Sequence, residues 1–181
     1  GSLTASVDSS TPAAATVTHG TADQLASIFR FNSTNEAFLI TKLSINNSQT
    51  GVRLANLGDN DNNVHTITLE YEDEDGTIQT DSAALVSGTA QFSVLTMFVP
   101  ADDSALLSVN VDINSTADGA TVGEKIKLNL AFNNFTALGI TSGATLNGAA
   151  LDASVASTAD LDFGRITYKA GSGIFAIGFP G

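Results

Sequence analysis

The residues whose types and spacing could do chemistry cluster between Leu57 and Asp75. Leu57-Gly58-Asp59-Asn60-Asp61-Asn62-Asn63 sets acids and amides at alternate positions. A hard-cation loop needs this pattern, because calcium takes several oxygens from one short turn. Glu70 falls at the twelfth position counted from Asp59, where an EF-hand places its bidentate carboxylate. Val64, however, stands where the sharply turning glycine belongs, and the residues after it alternate as a strand, so an EF-hand is rejected. Asp59, Asp61 and Asn63 are kept as candidate calcium ligands, calcium being the sole cofactor considered. The competing reading is a solvated turn in which Asp and Asn side chains bond nearby backbone amides.

Glu70, Glu72, Asp73, Glu74 and Asp75 supply carboxylates close enough to suggest glycosidic chemistry. A general acid needs burial to raise its pKa, and the alternation puts Glu70 and Glu72 on a wet face with the others at a hairpin tip. They read as a charged hairpin that keeps a sheet soluble. His19 and His65 are the two histidines, and His65 falls on the apolar register of its strand, as a core-edge residue. No Gly-x-Ser-x-Gly elbow occurs. No catalytic residue is assigned, and the chain is expected not to be an enzyme.

Asn32, Asn46, Asn114 and Asn134 each begin a glycosylation sequon, close to chance in a chain so rich in Asn, Ser and Thr. Asn46 and Asn114 follow apolar runs, at expected loops, and are the preferred acceptors of glycans. Lys42, Lys125, Lys127 and Lys169 invite comparison with Lys–Asn isopeptide crosslinks, which need a buried lysine. Lys125 and Lys127 fall on the wet register of their strand.

Composition narrows the partners. Asp and Glu number 19 against 7 Lys and Arg, for a net charge of −12, so the acidity comes from missing bases. Nucleic acid and anionic lipid are excluded as partners, since neutralising phosphate takes clustered Lys and Arg. With no cysteine, disulfides and thiolate metal sites are excluded. No apolar run reaches membrane-spanning length. The bias towards Ala, Ser, Thr, Asn and Gly reads as an exported, extracellular protein. The opening Gly1-Ser2-Leu3-Thr4 fits a removed signal peptide or a tag scar equally.

The elements that must position these residues are strands. Ile126, Leu128, Leu130 and Phe132 alternate with polar neighbours, as do Leu107, Val109, Val111 and Ile113, and His65, Ile67, Leu69 and Tyr71. Leu3/Ala5/Val7, Ser27/Phe29/Phe31 and Leu39/Thr41/Leu43/Ile45 are weaker cases, and the run from Phe92 to Val99 reads as one deep strand. Asp73-Glu74-Asp75-Gly76 supplies a hairpin turn, with further turns at Gly20–Asp23 and Ala117–Gly119. The expectation is all-β: residues 1–181 as a single antiparallel β-sandwich or jelly roll of about ten strands. The stretch 142–160 has the weakest pattern. At the C-terminal end Ile174 and Ala176 face one way and Phe175, Ile177 and Phe179 the other, a strand that must be buried in this chain or a neighbour.

A resemblance follows from Val17-Thr18-His19-Gly20, Leu25 to Phe31 and Asn35-Glu36, then from Val99-Pro100-Ala101-Asp102-Asp103-Ser104 and Leu107 to Ile113. These stretches cover about half the chain and resemble β-sandwich modules of exported bacterial and archaeal surface proteins. More loosely, the apolar end strands are similar to those of camelysin-type biofilm fibre proteins and of archaeal pilins that polymerise by donor-strand exchange. The resemblance implies a structural subunit of an extracellular filament or surface layer, with itself as partner in a homopolymer. Strands 2–8 and 173–180 would then be exchangeable, with Leu3, Ala5, Val7, Ile174, Phe175, Ile177 and Phe179 as subunit contacts. The alternative is a carbohydrate-binding or adhesive surface module, assisted by calcium at Asp59, Asp61 and Asn63.

Overall fold

The computed structural model describes residues 1–13, 15–47, 63–120, 125–126, 128–148 and 166–169. Thirteen strands lie within them: β1 (Ser2–Val7), β2 (Ala15–Thr18), β3 (Gln24–Thr34), β4 (Phe38–Asn47), β5 (Val64–Glu72), β6 (Ile78–Ala84), β7 (Thr89–Phe92), β8 (Met97–Val99), β9 (Ser104–Ile113), β10 (Lys125–Ile126), β11 (Leu128–Gly139), β12 (Thr145–Asn147) and β13 (Ile166–Lys169). A front sheet runs β1-β3-β9-β5-β6, and a back sheet runs β12-β11-β4-β7 with β8 also on β4. Every pair in both sheets is antiparallel. The expected all-β sandwich is therefore the fold. A small third sheet, β10-β13-β2, adds what the pattern did not foresee, a parallel pairing of β2 with β13. Parallel neighbours need a long crossover, and most of the chain separates these two.

Alternation builds the front sheet. Leu107, Val109, Val111 and Ile113 of β9 point inward, as do Ile67, Leu69 and Tyr71 of β5 and Phe29 and Phe31 of β3. The β5–β6 hairpin turns where Asp73 predicts it. Gly76 takes a φ of +74°, and Asp73 Oδ1 accepts the amides of Asp75 and Thr77 at 3.0 and 2.9 Å. Asp73 Oδ2 accepts Gln79 Nε2 at 2.6 Å, and these bonds, Gln79 first, hold its pKa below the usual range. His65 departs from expectation. The register slips between Val64 and Thr66, so Val64 takes the inward place and His65 is exposed.

The back sheet is creased along one line. In β4, Phe38 and Ile40 point inward, but so do Leu43 and Ile45, which lie on the opposite parity. In β11 the inward set passes from Leu128 and Leu130 to Phe135 and Ala137, again changing parity. Four residues, 132–135, stand opposite Leu43, and Thr41 is extra on the β4 side. The third neighbour breaks at the same level. The run expected as one strand from Phe92 to Val99 is two, β7 opposite Leu43 and β8 opposite Ile40. Between them Val94 is 85% exposed while Leu95 is buried and donates its amide to the Thr41 carbonyl at 3.0 Å. A one-residue slip turns a strand inside out, so matched slips in neighbouring strands keep both halves of the sheet facing the core.

Both ends of the crease are tied to the front sheet. Phe135 stacks on Phe31 with ring centroids 6.0 Å apart. On the other side, the Thr96 amide donates to the Tyr71 hydroxyl at 3.3 Å, and that hydroxyl donates to Asp81 Oδ2. Burial, then the bond to Asp81, pushes the Tyr71 phenol above its ordinary pKa.

Two buried carboxylates pin the segments around β1. Asp8 accepts the hydroxyl and amide of Ser10 and Arg30 Nε, the last at 2.6 Å, and Arg30 continues to Ser104 Oγ. Glu36 accepts the Gly1 amino group at 2.8 Å, the amides of Thr141 and Ser142, and the Ser142 hydroxyl. The hydrogen bonds from Ser10, then Arg30, hold Asp8 at about 2; the Gly1 amino group, then Ser142, hold Glu36 at about 2.

Two outcomes are expected. Phe135→Ala removes a ring that is 2% exposed and should cost about 3–5 kcal/mol in denaturant unfolding. Because both carboxylates titrate lower in the folded chain than in the unfolded one, their contribution is complete above the unfolded values of 3.8 and 4.5 and is lost as pH falls towards 2. Unfolding midpoints measured from pH 5 to 2 should fall, and the fall should be shallower in Asp8→Asn and Glu36→Gln.

Candidate functional site

The candidate site residues read from the sequence fall in several places. Leu3 and Ala5 are buried in this chain's own core, and Val7 packs against it. Ile174, Phe175, Ile177 and Phe179 lie outside the described residues, as do Asp59 and Asp61. Asn63 is buried, and its carbonyl accepts the Asn114 amide at 3.0 Å. Among the described residues no three acidic or histidine side chains gather as a metal site. Lys42 is exposed, which removes it from the buried position an isopeptide bond requires.

The sequons are not equivalent. Asn46, expected in a loop, is inside β4, paired with Asn129 on one side and Thr89 on the other. Asn32 is likewise central, between Thr4 of β1 and Ser104 of β9. Asn134 Nδ2 is engaged by Ser44 Oγ at 3.0 Å within the crease. Asn114 alone of the four follows its strand, leading into a 3-10 turn at Thr116–Asp118 that Ser115 caps and Gly119 ends at φ +97°.

What the fold brings together is a pair of contrasting edges on the front sheet. At one edge, β1 pairs with β3 from Ser2↔Thr34 to Val7↔Phe29 without a slip. Its inward residues are Leu3 and Ala5, and its outward ones, Ser2, Thr4 and Ser6, are exposed, uncharged and small. Natural sheets blunt their edges with lysine, proline, bulges or an inward-pointing charge, and β1 carries none of these. At the other edge, β6 does: Asp81 sits on its inward register, held by Tyr71. The remaining described edge strands have at most four residues. The alternation Leu3/Ala5/Val7 was the legible signal for β1. Asp81 gave none, because β6 is polar on both faces.

A groove of about 420 Å³ opens beside the β5–β6 hairpin, lined by Tyr71, Phe98 and Pro100 together with Glu70 and Glu72 of the outer face. Both glutamates are exposed, as the alternation predicts. Ile78 and Leu106 on either side are 55% and 41% exposed. Among the described residues no helix is long and apolar enough to cross a membrane.

No protein-family model matches the chain, and no curated protein matches it. Among solved structures it is similar to a family 123 glycoside hydrolase from Clostridium perfringens, studied for glycolipid glycan hydrolysis. The likeness has a TM-score of 0.35 at 10% identity and covers 93% of this chain but 28% of that protein. Similarity this slight transfers no activity.

Proposed function

We propose that this chain is a non-enzymatic structural subunit of an extracellular filament or surface layer, joined to its neighbours by β-strand addition. The observation that carries the reading is the edge at β1, six residues long, in unbroken register and undefended among the described residues, opposite an edge that Asp81 blunts. An added strand would satisfy backbone groups along the whole of β1. Repeated without closure, such a contact between unlike surfaces produces a fibre. Two donors are compatible with it. The apolar stretch containing Ile174, Phe175, Ile177 and Phe179 could lie along a neighbour's β1. Alternatively β1 itself could exchange, its Leu3 and Ala5 filling the same places in the next copy. The scarcity of bases and the Ser, Thr and Asn-rich surface support an exported, self-associating protein over a binder of nucleic acid.

The test is electron microscopy of native material beside sizing of variants. Thr4→Lys/Ser6→Lys places like charges along an exposed edge, and its folding stability should stay within about 0.5 kcal/mol of the parent. The expected result is filaments or arrays from the parent chain and monomers from the variant. Native material found only as monomers, or assemblies indifferent to the two lysines, would overturn the reading. Deleting residues 173–181 separates the donors: assemblies that persist exclude that stretch.

A further inference from the structure

A second surface, independent of the assembly edge, has the makings of a ligand site. Glu72 pairs with Ile78, and Glu70 with Thr80 and Ser108, so the two glutamates stand two residues apart on the outer face of the front sheet. That spacing is about 7 Å along a strand. Among the described residues neither has a cation or a hydrogen-bond donor against it, the two ion pairs being Gly1–Glu36 and Arg30–Asp8. Neighbouring Asp73, by contrast, is wholly occupied by its turn. Ile78 on β6 is the register partner of Glu72, Leu106 on β9 lies two residues before the Ser108 that faces Glu70, and both aliphatic side chains are exposed. The floor thus alternates aliphatic, anionic and aliphatic across three adjacent strands, β9, β5 and β6, beside the groove.

We infer that this groove binds an extended basic peptide segment of another protein, with Lys or Arg at alternate positions. Lysine and arginine lay an alkyl stem on apolar surface and hold a cation at its end, which matches Ile78 and Leu106 in the row of Glu72, with Glu70 the next outward residue along β5. Alternate residues of an extended peptide repeat at the same spacing as the two glutamates, so two cations reach two carboxylates at once. The partner is another protein because this chain is poor in bases, with 7 in all and one pair at alternate positions, Lys125 and Lys127.

The test is fluorescence anisotropy of a dye-labelled peptide of alternating lysine and serine, titrated with the full chain. Binding should weaken with added salt, and a glutamate–serine peptide should not bind. Glu70→Gln/Glu72→Gln should weaken it about tenfold or more, and Ile78→Ser/Leu106→Ser several-fold, through the lost charges and the lost apolar rests respectively. Asp23→Asn/Asp118→Asn makes the same change in net charge away from the groove, and should alter binding by less than about twofold. No binding at low salt, or equal losses in the two carboxylate variants, overturns the inference. So does self-association of the chain that disappears in Lys125→Gln/Lys127→Gln, which assigns the groove to a second copy.

Discussion

The ring of Phe135 lies on that of Phe31 at the level where three strands of the back sheet change register together. The contact matters because β11 reverses its parity between Leu130 and Phe135, and a strand that does so must be held on both sides of the reversal. Leu130 secures one side and Phe135 the other. With Phe135 seated, Ala137 faces the core, and the neighbouring slip at Thr41 lets Ile40 and Leu43 do the same. Tyr71 plays the matching part from β5, accepting the Thr96 amide in the break between β7 and β8. The sandwich is thus closed by an aromatic at each end of the crease.

The same economy governs charge. With so few bases, most carboxylates have no cation, and the two that are buried among the described residues gather several donors each. Asp8 relies first on Ser10 and then on Arg30, and Glu36 on the Gly1 amino group and the turn at Ser142. Asp81 uses a phenol. Nearer the surface, Asp73, Asp102 and Asp112 accept backbone amides, whereas Glu70 and Glu72 hold no partner among the described residues. Their position beside exposed aliphatics distinguishes this face from the uncharged β1 edge, and the two surfaces suit different partners.

Period-two alternation made the front sheet legible residue by residue, since β5 and β9 each bury every second side chain. It failed where register slips. His65 was expected at the core edge because nothing local marks the bulge beside it, and Phe92–Val99 read as one strand because its composition hides the break. Leu39, Thr41, Leu43 and Ile45 form a plausible single face, yet only the last two are buried, as Thr41 belongs to the crease. The exposure of Glu70 and Glu72 was readable; the pairing of Glu72 with Ile78 and of Glu70 with Thr80 and Ser108 was not, because it depends on which strands become neighbours. Glu36 left no trace in the local pattern, its partners being over a hundred residues away in sequence or at Gly1.

The crease also bears on how such a chain can change length over time. Deleting Thr41 alone would leave Phe38, Ile40, Leu43 and Ile45 evenly spaced on one face, and so erase the slip in β4 while β11 kept its own. An odd-numbered loss from 132–135 would be needed to erase the matching slip in β11. Insertions and deletions at these two places, remote in sequence, should therefore be inherited as pairs. The β5–β6 hairpin tip, by contrast, touches no second strand register and is free to grow or shrink by itself.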